Sequence, residues 1–204
     1  MCWSPEVSLG TYLFSAIPLF ILTFHYKYIS IPMFLAAHSF ISMQLVEFFL
    51  WIYLNNPALN YFFSVIGFIL VISQPFFYIV SIEIFQYKYL VLLIYFLCIL
   101  YFYIVKNIEF KTVVAKNGHL EWKWLNVPLY SALVWLGFFC IRPLYLYLKN
   151  PAKNKTELLW FFIIITTFGI SYATYVDAKT WGSMWCYIAN FIAFRYYWII
   201  FSKL

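Results

Sequence analysis

Apolar residues in this chain run in unbroken stretches rather than in alternation with polar ones. Bounded by Pro, Asn, Lys and Glu, the stretches lie near Val7–Phe24, Pro32–Leu54, Leu59–Ile82, Tyr89–Val105, Val127–Leu148, Glu157–Val176 and Trp181–Phe201. Each falls in the range of roughly 17 to 25 residues that carries a helix across the hydrocarbon layer of a bilayer. A membrane barrel would instead show shorter segments alternating between apolar and polar positions. The pattern predicts an all-α membrane protein, a seven-transmembrane helix bundle forming one domain over residues 1–204. Glu6 precedes the first stretch, and His25-Tyr26-Lys27 follows it where a signal peptide would have a small-residue cleavage site, so this stretch is expected to stay as a helix. The boundaries least marked by sequence surround Pro75 and the link Glu83 to Lys88.

One segment departs from the helical pattern. Between the fourth and fifth stretches, Phe110–Val114 and Leu120–Trp124 flank Asn117-Gly118, a pair that tolerates the positive φ angles of a type I′ turn. Leu120, Trp122 and Trp124 alternate with His119, Glu121 and Lys123, which predicts a short β-hairpin with one apolar face and one wet face. Such a ribbon would rest on lipid headgroups with Trp as anchor, or act as a lid over something beneath it.

Composition strengthens the membrane reading. Hydrophobic residues make up 66% of the 204 positions and charged residues 10%, a balance that no single water-soluble core of this size could hide. The formal net charge is +6, but the basic residues are scattered among loops, so the expected partner is the lipid bilayer with its anionic headgroups and not nucleic acid. With seven crossings, Lys27, Lys88, Arg142, Lys149, Lys153, Lys155, Arg195 and Lys203 gather on the C-terminal side, against Lys106, Lys111, Lys116, Lys123 and Lys179 on the other. Positive residues favour the cytoplasm, which predicts an extracytoplasmic or lumenal N-terminus and a cytoplasmic C-terminus.

Ionisable groups inside a spanning helix cost roughly 2.5 to 3.5 kcal/mol at the centre, so each needs a partner or a purpose. Glu47 lies in the second stretch, and Gln44 and Trp51 share its face at offsets of three and four residues. In the last stretch Ser183, Cys186 and Asn190 share a face by the same offsets, with Trp185 beside the cysteine. Glu47 and Cys186 sit at similar depths, roughly 10 and 8 Å from the N-terminal-side ends of their helices at 1.5 Å per residue, and Ser171 falls near that level. Cys2 precedes the first helix on that side, and Asp177 sits in the turn between the sixth and seventh. Gln44, Glu47, Trp51, Ser171, Asp177, Ser183, Trp185, Cys186, Asn190 and Cys2 are thus candidates for a ligand or ion site. Small hydroxyl groups at such spacings also simply bond across helices.

Cys98 and Cys140 lie among bulky apolar residues, where a thiol behaves as a small hydrophobe. Cys2 and Cys186 would bridge in an oxidising compartment or offer thiolates to a soft metal in a reducing one. No CxxC or HExxH spacing supports metal binding, and nothing in the sequence names a cofactor.

Met1-Cys2-Trp3-Ser4, Gln44-x-x-Glu47 with Trp51, and Ser183-x-Trp185-Cys186 together resemble an uncharacterised family of small bacterial polytopic membrane proteins. Its members open Met-Cys-Phe-Ser, carry Gln-x-x-Glu-Gly followed by Trp, and close with a Trp-Cys helix. Here Trp3 stands in place of the usual Phe and Phe48 in place of the Gly, so close backbone approach beside Glu47 is not implied. Three functions are compatible with these residues. The first is binding or passage of a small solute, ion or proton at Glu47, the second an intramembrane enzyme pairing a cysteine thiol with Glu47, and the third a structural or interaction protein in which the cluster locks the bundle.

Overall fold

The computed structural model describes residues 4–82, 86–105 and 107–202, with residues 187–189 described by their backbone. Their helices are α1 (Pro5–Phe20, continued by a π-helical turn, Ile21–His25), α2 (Ile31–Ile52), α3 (Pro57–Val80), α4 (Lys88–Val105), α5 (Leu129–Lys149), α6 (Lys155–Tyr175), α7 (Trp181–Ala189) and α8 (Ile192–Phe201). Among the described residues, six helices are long and apolar enough to cross a membrane, namely α1 with its π turn and α2 to α6. The chain is therefore compatible with an integral multi-pass membrane protein.

Local sequence explains where the early helices begin. Ser4 and Asn56 accept the N–H groups of Val7 and Leu59 at 3.3 and 3.1 Å, and a proline follows each cap, where its missing N–H costs nothing. Pro75 lies deep in α3 and does not end it. A proline at that position leaves the Val71 carbonyl without its helical donor. The Trp135 indole of α5 donates to that oxygen at 3.2 Å, and the Tyr95 hydroxyl of α4 donates to the next carbonyl, Ile72. Side chains of neighbouring helices thus replace the helical bond in a setting where water cannot.

The last apolar stretch differs from the single helix expected over Trp181–Phe201. It is interrupted at Asn190 and Phe191 into two short helices. The Asn190 amide donates to the Cys186 carbonyl at 2.7 Å, the oxygen that the Asn190 main-chain N–H would take in a continuous helix. Beyond it the chain tightens, with Ala193 and Phe194 N–H groups bonding three residues back. A short polar side chain thus takes a helical acceptor at the point where the helix stops, a local feature that hydropathy does not register.

Helix α2 is the axis of the bundle, with α1 on one side, α3 on the other and α7 against it; α5, α6 and α7 pack in series, and α8 returns against α1. Gln74, fully buried on α3, reaches the Ser39 carbonyl of α2 at 3.4 Å. Helix α4 leans on α3 and leaves most of its apolar surface outward, as a lipid-facing helix does.

The predicted hairpin is present as β1 (Thr112–Val114) and β2 (Leu120–Trp122), antiparallel with Val113 opposite Glu121. Its turn is not type I′, because Gly118 has positive φ (78°) and Asn117 does not. Instead Gly118 N–H bonds to the Ala115 carbonyl and Ala115 N–H to His119, a three-residue loop in which the glycine takes the left-handed position.

Candidate functional site

The apolar face of the hairpin is packed among the helices. Leu120, Trp122 and Trp124 are buried, and they form one apolar cluster with Met43, Val46 and Leu50 of α2, Phe68 and Val71 of α3, and Cys186 of α7. The Trp122 and Trp124 rings stack with centroids 4.9 Å apart. Two glycines admit them. A Cβ at Gly67 would come within 3.0 Å of the Trp124 ring, and one at Gly182 would collide with Leu125, which follows Trp124 in a 3₁₀ turn. The face expected to be wet is largely covered as well. His119 packs against Tyr175, and the mostly buried Glu121 pairs with Lys123 at 2.8 Å.

Polar side chains fasten the hairpin at both ends. Asn60 of α3 donates to the Thr112 carbonyl and accepts the Thr112 N–H, each at 2.9 Å, while Ser64 and Thr112 share a hydroxyl contact at 3.0 Å. At the tip, Asn117 donates to the Thr180 hydroxyl in the turn between α6 and α7 at 2.9 Å. These residues drew no attention in the sequence, because Asn60 reads there as a helix-start residue and the pairing spans 52 positions.

Beneath the hairpin lies the α2 pair. Gln44 Nε2 donates to Glu47 Oε2 at 2.9 Å, and both residues are 0% exposed. Glu47 projects from the turn that carries Met43, Val46 and Leu50, and Cys186 lies within electrostatic reach of its carboxylate. Trp51 is half-buried against the same cluster. Ser183, one turn before Cys186, is buried too. Among the described residues, Gln44 Oε1 and the indole N–H groups of Trp51, Trp122 and Trp124 are buried without a hydrogen-bond partner.

The other candidates take different places. Trp185 faces Phe139, Phe168 and Trp135 in a separate aromatic cluster, and its indole donates to Thr167 at 3.2 Å. Ser171 donates to the Trp181 carbonyl at 2.8 Å and so ties α6 to the start of α7, while Asn190 lies between α7 and α8. Asp177 is exposed in its turn, and Cys2 lies outside the described residues. Among the described residues Cys186 is bonded to no other cysteine. His38 points elsewhere, stacked on Phe34 and edge-on to Phe20. Among the described residues, no group of three His, Cys, Asp or Glu side chains is placed to hold a metal ion.

A second feature opens at the end of the bundle opposite the hairpin. A cavity of about 550 Å³ is lined by Tyr78, Arg142, Lys149, Glu157, Trp160 and Arg195, among others. A more apolar cavity of about 370 Å³ shares Met33, Tyr78, Trp160 and Arg195 with it and extends along α2 to Phe40 and Trp185. Those two rings meet edge to face at 6.0 Å. Phe40 lies one helical turn before Gln44 on the same face of α2, so this aromatic contact stands between the cleft and the buried pair.

No protein-family model matches this sequence, and no curated protein or solved structure matches it either.

Proposed function

We propose that this chain crosses the membrane seven times, with α7 and α8 sharing the last crossing, and binds or passes a small solute, ion or proton at a polar site on its N-terminal side. Glu47 is the ionisable centre of that site, positioned by Gln44. The observation that carries this reading is the fully buried Gln44–Glu47 pair, enclosed by the hairpin on one side and by the Phe40–Trp185 contact on the other. An acidic group at such depth is costly unless it is used. Buried polar atoms of Gln44, Trp51, Trp122 and Trp124 that find no partner among the described residues are groups that a bound solute or water would satisfy. A site closed towards both faces by separate devices suits a carrier that opens to one side at a time. The concentration of Arg142, Lys149, Lys153, Lys155 and Arg195 at the end opposite the hairpin supports a cytoplasmic C-terminus. The motifs around Cys2, Glu47 and Cys186 further support kinship with the uncharacterised bacterial family they resemble.

The test is flux in vesicles reconstituted with the purified full chain, using a pH-sensitive dye and a panel of labelled solutes. Glu47→Gln is expected to abolish movement and Glu47→Asp to retain part of it. Absence of flux across the panel, or equal flux with Glu47→Gln, overturns the proposal. A thiol enzyme is the second reading, resting on Cys186 packing in the buried cluster with Met43, Val46 and Leu50 of the α2 face that carries Glu47. It requires Cys186 to be labelled by a small maleimide in the folded protein, with labelling slowed by Glu47→Gln.

A further inference from the structure

The cleft at the end opposite the hairpin is unlike the Glu47 site in both chemistry and shape. Its mouth carries Arg142, Lys149 and Arg195 against a single acid, Glu157. Arg142 pairs with Glu157 at 3.3 Å, which leaves the charges of Lys149 and Arg195 in excess. Each guanidinium carbon lies over an aromatic ring, Arg142 over Tyr78 and Arg195 over Trp160, at 5.4 and 5.2 Å from the ring centroids. Such cation–π contacts hold a guanidinium in place without using up its hydrogen-bond donors. Arg142 Nε is buried and has no acceptor among the described residues.

Above this basic mouth the walls turn apolar. Ala36, Ala37, Phe40, Ile163 and Ile164 line the continuation, which runs from Met33 to Phe40, about 10 Å of helix rise. The small side chains of Ala36 and Ala37 leave the width, and the break before α8 sets Arg195 at the point where basic mouth and apolar channel join.

We propose that this cleft binds an anionic amphiphile, with a phosphate or carboxylate head between Arg142, Arg195 and Lys149 and a single hydrocarbon chain directed towards Phe40. Charge complementarity selects the head, and basic pockets between membrane helices are suited to anionic lipid headgroups. Length and apolarity of the channel select the tail. A free anion lacks the tail that the channel rewards, and a zwitterionic lipid brings a cation to a mouth already in positive excess. The proposal stands apart from translocation, because the cleft would hold this ligand even if nothing passed Glu47.

The experiment uses the purified full chain in a neutral maltoside detergent, with retained ligands counted by native mass spectrometry. Probes are a single-chain phosphatidylglycerol, a phosphatidylcholine with the same chain, and inorganic phosphate. The anionic amphiphile is expected to be retained at least tenfold better than either of the others. Arg195→Gln is expected to erase that preference. Lys149→Gln, at an exposed position and so without risk to folding, is expected to reduce it severalfold. Ile163→Trp, at a lining position that is 37% exposed, is expected to weaken retention by narrowing the channel. Equal retention of both amphiphiles, binding of phosphate alone as strong as that of the amphiphile, or full retention by both charge variants each overturns the proposal.

Discussion

The Trp135 indole of α5 donates to the Val71 carbonyl of α3 at 3.2 Å, across 64 positions of sequence, and this is the oxygen that Pro75 deprives of its helical donor. The proline and the tryptophan form a unit whose cost and compensation lie on different helices. Trp135→Phe is expected to destabilise the protein by about 1 to 2 kcal/mol, the range for a buried acceptor that loses its partner, beyond any loss of packing. Introducing Pro75→Ala into that variant restores an N–H to α3 and should recover part of the loss. Denaturant unfolding of the four proteins of this cycle checks the coupling, and strict additivity would refute it.

Gly182 permits the close approach of the hairpin to α7. Gly182→Ala drives a methyl group into Leu125, and overpacking of this kind costs roughly 1 to 3 kcal/mol. Gly67→Ala meets the Trp124 ring at a less severe distance and is expected to cost less. Thermal unfolding monitored by near-ultraviolet circular dichroism, which reports the stacked Trp122 and Trp124, will rank the two.

Asn60 holds the hairpin through both polar groups of the Thr112 backbone. Asn60→Ala leaves them unpaired and is expected to raise hydrogen exchange selectively over residues 112–122, with α1 and α2 unchanged. Uniformly faster exchange would mean that Asn60 supports the whole fold and does not fasten the hairpin specifically.

Asn190 stands at the break between α7 and α8 and takes the Cys186 carbonyl. Asn190→Leu removes that competition, so the final stretch should straighten towards one continuous helix. Spin labels at Ala178 and Ser202 should then report a longer and narrower distance distribution. An unchanged distribution would place the cause of the break in packing around α1, where the Ser15 hydroxyl lies 3.5 Å from the Asn190 carbonyl.

Much of this architecture is legible in the sequence, because a bilayer imposes length and apolarity on each span. The observed α2, Ile31–Ile52, differs by one or two residues at each end from the expected stretch Pro32–Leu54. The break at Asn190 is hidden because hydropathy sums a window, whereas the break is a local event of two residues within an apolar stretch. Strand alternation revealed the hairpin but not its burial. A row of Leu120, Trp122 and Trp124 has the same pattern on headgroups as between helices, and only the space at Gly67 and Gly182 decides. Helical offsets correctly placed Gln44 beside Glu47, since neighbours on one helix follow from geometry alone. They did not reveal that Trp185 and Ser171 face other partners, because the rotation of one helix against another is set by packing of whole faces. The cleft joins Arg142, Glu157 and Arg195 from three helices, and no single segment carries its pattern.

The tip of the hairpin is fastened by Thr180, some 60 residues further along the chain. A ribosome must therefore deliver α5, α6 and the turn that follows before Asn117 finds its partner. Until then Trp122 and Trp124 lack the wall that α7 supplies. The docked hairpin thus ties its own closure to the arrival of the turn between α6 and α7, long after its two strands have been synthesised.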